Sequence, residues 1–167
     1  MSVSSRRATV TLPADDRIQI VREFDAPRHL VWKAFTTPEL VRRWWHAKRG
    51  EMTVCEVDLR VGGAWRYAMT TPAGIEVAFH GVYLEVVPEQ RVVTRDVYEG
   101  VPDGVSEDDA ATINTATLAE PSPDRTVLTI VIQAANRTSR DAIIESGMEN
   151  GLQDALDLLE QTARSPA

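Results

Sequence analysis

TSRDAIIESGMENGLQDALDLLEQTA, residues 138–163, carries apolar side chains at steps of three and four. At 3.6 residues per turn, Ile144, Met148, Gly151, Leu152, Ala155, Leu156, Leu159 and Ala163 fall on one stripe. Glu149, Gln153, Asp157 and Glu160 fall opposite. Thr138, with Asp141 three residues on, marks the start as an N-cap with an acid in the first turn. The spacing predicts one continuous helix over 138–163, about 37 Å long at about 1.5 Å per residue, with Ile144, Met148, Leu152 and Leu159 buried. A helix of that length with one apolar face needs a broad partner surface. Nearly everything between Ala64 and Ala134 reads as β-strand, so the expected partner is a sheet. A sheet curled around one long helix makes a container.

The chain has 167 residues, enough for one domain that buries a sizeable core without disulfides or metal. The domain is expected over 17–163, with a tail at 1–16 that includes a short edge strand and another tail at 164–167. A net charge of −7 argues against nucleic acid or an anionic membrane surface as partner. Arg42, Arg43, Lys48 and Arg49 cluster, but four charges beside a helix read as a solvated face. Cys55 is the only cysteine, so no internal disulfide forms. No apolar run approaches the roughly 18 residues of a membrane span. Met1 to Arg7 lacks the apolar core of a signal peptide, so a cytoplasmic location is expected.

Arg17 to Phe24 alternates cleanly, with Ile18, Ile20, Arg22 and Phe24 on one side, and reads as a strand. Asp25-Ala26-Pro27 ends it and starts a helix, since proline suits the first helical turn. Leu30, Val31, Ala34 and Phe35 supply that helix's buried stripe. Thr37-Pro38-Glu39 repeats the signal for a second short helix carrying Leu40, Val41, Trp44 and Trp45. Strands come next at Met52–Leu59, Trp65–Thr70, Ile75–Val87, Arg91–Tyr98, Ala111–Ala119 and Arg125–Ala134. Gly62-Gly63 and Thr71-Pro72-Ala73-Gly74 are the turn signals between the first three. The apolar phase of Ile75–Val87 changes in the middle, which predicts a bulge at Gly81. Glu99 to Asp109 is acidic, holds Gly100, Pro102 and Gly104, and reads as the most mobile loop. The order is a strand, two short helices, a run of antiparallel strands and a long C-terminal helix. That is an α+β architecture.

Few residues propose chemistry. There is no Gly-x-Ser-x-Gly, and Cys55 in a strand reads as a small buried hydrophobe. His29, His46 and His80 have no metal-ligand spacing, so no metal site is assigned. Glu23, Glu76, His80 and Asp96 are acid–base candidates on strands, where such groups usually face water. His80 stands apart because a bulge at Gly81 would redirect it inward. The remaining feature is a set of large, adaptable apolar groups: Trp44, Trp45, Trp65, Tyr67, Met69, Phe79 and Met148. A long helix across a concave sheet leaves space that such groups line, with a few polar handles. Gly147 and Gly151, on the flank of the helix stripe, either bring the helix close to a strand or make room for a ligand.

Several motifs resemble a known family. Phe24-Asp25-Ala26-Pro27, Val31-Trp32-Lys33-Ala34, Thr37-Pro38-Glu39-Leu40 and Trp44-Trp45 come in that order. Val57-Asp58-Leu59-Arg60-Val61-Gly62-Gly63-Ala64-Trp65-Arg66 is the most specific segment. Gly81-Val82-Tyr83-Leu84-Glu85-Val86-Val87-Pro88 and Gly147-Met148-Glu149-Asn150-Gly151 complete the set. Over residues 17–163 they are similar to single-domain bacterial proteins named after the activator of heat-shock protein 90 ATPase, within the SRPBCC superfamily of START domains, birch-pollen-allergen-like proteins and polyketide cyclases. The resemblance implies a helix-grip fold: a curved antiparallel sheet wrapped around a long C-terminal helix, with two short helices after strand one. It also implies an internal apolar cavity. It implies no shared catalytic residue, and function varies widely across that scaffold.

The expected function is binding of a small hydrophobic or amphipathic molecule between sheet and helix. Trp65, Tyr67, Met69 and Phe79 line the sheet side, Met148 and Leu152 the helix side, with Trp45, Cys55 and His80 as further members. No catalytic residue and no cofactor is assigned. Two other functions use the same architecture. One is a cyclase- or hydrolase-type enzyme with His80 or a nearby carboxylate as acid–base group. The other is a co-chaperone-like domain with a protein partner. Paired titratable groups in the cavity would mark the enzyme, a dry cavity the binder, and a large exposed apolar patch the interaction domain.

Overall fold

The computed structural model describes residues 7–101 and 103–166. Residues 1–6 of the expected tail over 1–16 lie outside the described residues. Strand β1 (Thr9–Ala14) and strand β2 (Arg17–Phe24) form a hairpin, followed by helices α1 (Arg28–Thr36) and α2 (Pro38–Val41). Strands β3 (Glu51–Val57), β4 (Ala64–Thr70), β5 (Glu76–Val87) and β6 (Arg91–Tyr98) come next. The short helix α3 (Glu107–Ala110) precedes β7 (Thr112–Ser122) and β8 (Arg125–Gln133). The chain closes with α4 (Arg137–Glu145) and α5 (Met148–Arg164). All neighbouring strands are antiparallel, in the order β1-β2-β8-β7-β6-β5-β4-β3. This is the helix-grip architecture: one curved sheet with the C-terminal helix on its concave side.

Local sequence explains the elements. The alternation in β2 turns Ile18, Ile20, Arg22 and Phe24 inward, and all four are buried. Pro27 is the N-cap of α1, and Val31 and Ala34 bury its apolar stripe. Pro38 opens α2 directly behind Thr37. Gly74, at φ 82°, closes the β4–β5 hairpin, a conformation that costs glycine little. The segment 99–109 holds α3, capped by Ser106 Oγ accepting from the Asp109 N–H at 3.1 Å. Arg95 of β6 ties it down through Glu107 and Asp108, at 3.1 and 2.8 Å.

Three expectations need correction. The first concerns the C-terminal run, which is two helices and not one. Gly147 takes the left-handed conformation at φ 81° and separates α4 from α5. Ser146-Gly147 is a helix-stop signal, because a left-handed residue after the last turn is the commonest way a helix ends. The apolar period runs across the break and conceals it. Asn136, not Thr138, caps α4, its Oδ1 accepting from the Ser139 N–H at 2.8 Å. Ile144 therefore leaves the stripe and is 39% exposed, while Leu156, Leu159 and Ala163 stay in the core.

The second correction concerns the polar side of α5. Gln153 and Glu160 are buried against the sheet edge, not solvated. Gln153 pairs with the Ala8 backbone in both directions, accepting at 2.9 Å and donating at 2.8 Å. The Arg22 guanidinium, fully buried, donates to Asp157 at 2.8 Å and Glu160 at 3.3 Å. The third is the β5 bulge, which sits at Leu84, between Tyr83 and Glu85, and not at Gly81. Tyr83 and Val86 therefore share the inner face, and Leu84 points to solvent.

The split of the last helix makes a testable distinction. Leu159→Ala should cost roughly 2–5 kcal/mol, as a buried leucine does. Ile144→Ala should cost no more than about 0.5 kcal/mol, as at an exposed position. Urea denaturation of the two variants measures both. Equal losses would mean that Ile144 also lies in the core and that the helix is continuous.

Candidate functional site

Alternation along β4 turns Trp65, Tyr67 and Met69 to the concave face of the sheet. Register extends this into rows. Cys55, Tyr67, Phe79 and Tyr98 lie side by side across β3–β6. The next row runs Val57, Trp65, Gly81, Asp96 and Thr112, and the one beyond it Tyr83, Thr94, Asn114 and Ile132. Above these rows α5 does not fill the space. A cavity of about 530 Å³ remains between the sheet and α5, with the segment after α2 at one side.

Trp45 stands over the sheet aromatics, edge-on to Tyr67 at 5.6 Å and to Phe79 at 5.9 Å between ring centroids. Trp65 leans on Tyr67 at 4.9 Å. Met148, Leu152, Ala155 and Leu156 close the helix side. Trp44, beside them, is held by structure: it stacks on Phe35 and its Nε1 donates to the Ala34 carbonyl at 2.8 Å. The exposed rim is made by Arg49, Ser146 and Gly147. Arg49 reaches α5 there, its Nη1 2.9 Å from Asp154 Oδ2. A Cβ at Gly147 would meet nothing within 4 Å, and one at Gly151 only Arg49, at 3.9 Å. These glycines do not serve close packing. They leave room.

One pole of this apolar cavity is polar. Asp96 takes a hydrogen bond from Asn114 Nδ2 on its Oδ2, while Asp96 Oδ1, Asn114 Oδ1 and Trp65 Nε1 are buried with no partner in the protein. Burial pushes the Asp96 carboxyl up to about 6, against hydrogen bonds with Thr94 and Asn114 that pull it down. The Tyr67 and Tyr83 hydroxyls bond to one another, and burial raises both, Tyr83 to about 12. Tyr83 is fixed from outside by the loop before β4: Gly62 N–H donates to its carbonyl at 2.8 Å, and its own N–H donates to the Gly63 carbonyl at 2.9 Å.

Of the residues singled out in the sequence, Trp45, Trp65, Tyr67, Met69, Phe79, Met148 and Leu152 come together around this cavity. Cys55 and His80 do not. Cys55 is buried beside it with Sγ 3.5 Å from the Pro38 carbonyl, and burial raises its thiol to about 11. With the bulge at Leu84, His80 keeps the alternation of β5 and faces outward. There its Nδ1 is 2.9 Å from Glu99 Oε2, and Arg66 grips the same carboxylate through two contacts of 2.9 Å. That grip, with the histidine bond, holds Glu99 down to about 2. Asp96 was visible as a strand carboxylate, but its inward facing required the register. Tyr83 and Asn114 carried no signal beyond their place in strands. Among the described residues no group of His, Cys, Asp or Glu is arranged to hold a metal ion, and no helix is long and apolar enough to cross a membrane.

Comparison with known proteins agrees with this fold. A family model described as Activator of Hsp90 ATPase homolog 1-like protein matches residues 25–164. The chain belongs to this family, within the SRPBCC superfamily. A solved structure from Rhodobacter sphaeroides is 25% identical, with a TM-score of 0.84 over 95% of this chain and 99% of that one. One from Nitrosomonas europaea is 26% identical, with a TM-score of 0.80 over 93% and 98%. One from Chromobacterium violaceum is 30% identical, with a TM-score of 0.75 over 90% and 98%. No curated protein matches the chain.

The buried carboxyl has a measurable consequence. Its folded value of about 6 lies above the ordinary 3.8, so its protonated form favours the folded state. That contribution is complete below pH about 4 and is lost as pH rises through about 6. The loss amounts to about 3 kcal/mol at most. Asp96→Asn, which cannot ionise, should therefore gain stability over the parent at pH 8 compared with pH 4. Thermal or urea unfolding at the two pH values tests this. A stability difference that does not change with pH would place the carboxyl in water.

Proposed function

We propose that this protein holds one small, largely apolar molecule in the cavity between its sheet and its C-terminal helix. The observation that carries the reading is the cavity itself: about 530 Å³, walled by aromatic and aliphatic side chains except at one pole. Interiors normally close-pack with few voids larger than a water molecule, so a space of this size is not ordinary core. Ligand sites have this size and this lining, with a small number of fixed polar groups. The rim glycines keep the approach unobstructed, and the break at Gly147 leaves Met148 beside it.

A single observation favours an enzyme. Asp96 is poised near neutrality, where a general acid or base works best. It has no second titratable carboxylate or histidine beside it in the cavity lining, and the nearby Cys55 is a neutral thiol turned to the Pro38 carbonyl. Binding accounts for the whole wall, whereas acid–base chemistry accounts for one group. The binding reading is therefore the conclusion drawn.

The test is a neutral hydrophobic fluorophore, N-phenyl-1-naphthylamine, titrated against the protein. It should bind saturably with near-unit stoichiometry and quench tryptophan fluorescence through Trp45 and Trp65. Met148→Trp should fill the space from the helix side and abolish binding with a stability change below about 0.5 kcal/mol. In a solid core the same substitution would overpack, costing roughly 1–3 kcal/mol. Absence of binding to the parent, together with such a loss, would overturn the reading.

A further inference from the structure

The polar pole of the cavity has a donor–acceptor pattern that specifies more than an apolar ligand. Trp65, Gly81 and Asp96 sit in one row across three adjacent strands. Gly81 has no side chain on its inner face, and a Cβ there would come within 2.9 Å of Trp65 Nε1. The indole N–H therefore lies over Gly81, with Asp96 on the next strand. Within the protein that N–H meets no acceptor, and Asp96 Oδ1 meets no donor. Asp96 Oδ2 is occupied by Asn114 Nδ2, and Asn114 Oδ1 is a second unpartnered acceptor beside it. The bond between the Tyr67 and Tyr83 hydroxyls uses one of their two protons, so Tyr83, which accepts it, keeps its own. Neither hydroxyl takes the place of a donor to Asp96 Oδ1.

One buried donor, Trp65 Nε1, and two buried acceptors, Asp96 Oδ1 and Asn114 Oδ1, thus stand unpartnered in adjoining rows of the sheet. The Thr94 hydroxyl is also beside the Asp96 carboxyl. Buried polar groups in folded proteins find partners almost without exception. A hydroxyl is the smallest group that serves both sides, since it accepts one hydrogen bond and donates another. A ligand carboxylate can accept from the indole, but it sets its charge against Asp96 and the Asn114 oxygen. A ketone or ether leaves Asp96 Oδ1 unpaired, and an ammonium cannot accept from the indole. The walls beside the pole are the aromatic faces and edges of Trp45, Tyr67 and Phe79, which favour a flat, π-bearing body.

Building on the proposed binding role, we infer that the cavity selects aromatic alcohols: the ring system lies among Trp45, Tyr67 and Phe79, and its hydroxyl accepts from Trp65 Nε1 and donates to Asp96 Oδ1. Sites built to hydrogen-bond a hydroxyl discriminate strongly against analogues that lack it, because the buried partners are then left unpaired. The preference is for phenolic compounds over hydrocarbons of the same shape and over aromatic or fatty acids.

Isothermal titration with three probes on one scaffold tests this: 2-naphthol, 2-methylnaphthalene and 2-naphthoate. In the parent, 2-naphthol should bind at least about tenfold tighter than 2-methylnaphthalene, and 2-naphthoate should bind weakest. Asp96→Leu should bring the 2-naphthol to 2-methylnaphthalene ratio to within about twofold. Trp65→Phe keeps an aromatic wall but removes the N–H, and it should lower the ratio as well. It gives an independent reading if Asp96→Leu does not fold. Equal binding of 2-naphthol and 2-methylnaphthalene to the parent would overturn the hydroxyl inference and leave the apolar binding site standing. Tighter binding of 2-naphthoate would overturn it too, as would a ratio unchanged in the folded variants. If none of the three binds, the cavity-binding reading fails with it.

Discussion

The structure depends on one buried cation. Arg22 projects from the apolar face of β2 with its guanidinium wholly out of water, 5.1 Å above the Phe24 ring. Asp157 and Glu160 of α5 supply its counter-charges, and the other oxygen of Glu160 accepts from the Asp25 N–H at 2.8 Å. Desolvating such a group is costly, and removing one partner of a buried pair typically loses about 3–5 kcal/mol, because a charge is left unmatched. The helix therefore has one permitted position along β2. Gln153, paired with Ala8 one to two turns earlier, fixes it also to the start of β1. Both anchors lie toward the β1–β2 edge of the sheet. Leu159 packs there with Phe24 and Leu128 away from the cavity, which Leu156 and Ile20 border.

The cavity results from that asymmetry. A helix tied to one half of a curved sheet cannot also descend on the other half, where β4, β5 and β6 turn Trp65, Tyr67, Phe79 and Tyr83 inward. These side chains are large, yet they lean on one another instead of on α5. The same strands carry Asp96 and Asn114 toward the unfilled space. In a filled core such groups would be paired or replaced by apolar ones. Packing near Arg22 and unpaired polarity near Asp96 are two consequences of one placement of the helix.

Much of this was legible in the sequence, and what was not has a common physical cause. Patterns that report on one element survived: the alternation of β2 and β4, the proline-led starts of α1 and α2, and the Thr71–Gly74 turn. So did the inner faces of Trp65, Tyr67, Met69 and Phe79. Patterns that depend on what lies opposite did not. An apolar period says nothing about a glycine that turns left-handed in its midst, so it hides the break at Gly147. A change of phase in β5 shows that a bulge exists but not which residue absorbs it. Placing it at Gly81 instead of Leu84 carries His80 to the wrong face. Gln153, Asp157 and Glu160 fall opposite the apolar stripe, and polarity alone cannot tell water from a buried partner there. The counterpart, an arginine among Ile18, Ile20 and Phe24, was in plain view. Asp96, Tyr83 and Asn114 become a cluster only through the register of two strand pairs, β5–β6 and β6–β7.

The two ends of the cavity are held by interactions of very different strength. The polar floor is built on β4 to β7, whose backbones are joined by continuous ladders, so Asp96, Asn114 and Trp65 cannot move apart without breaking several hydrogen bonds at once. The rim is joined differently. Arg49 and Asp154 form an ion pair with both side chains about two-fifths exposed, a type that contributes roughly 0–1 kcal/mol. Behind it Ala47 and Lys48 hold left-handed conformations at φ 51° and 64°, which side-chain-bearing residues adopt at a cost. Gly147 forms the other side of the rim with no side chain at all. Separating the rim therefore costs far less than deforming the floor. The most easily displaced boundary of the cavity is therefore the one at Arg49 and Gly147, while Trp65, Asp96 and Asn114 stay on hydrogen-bonded strands.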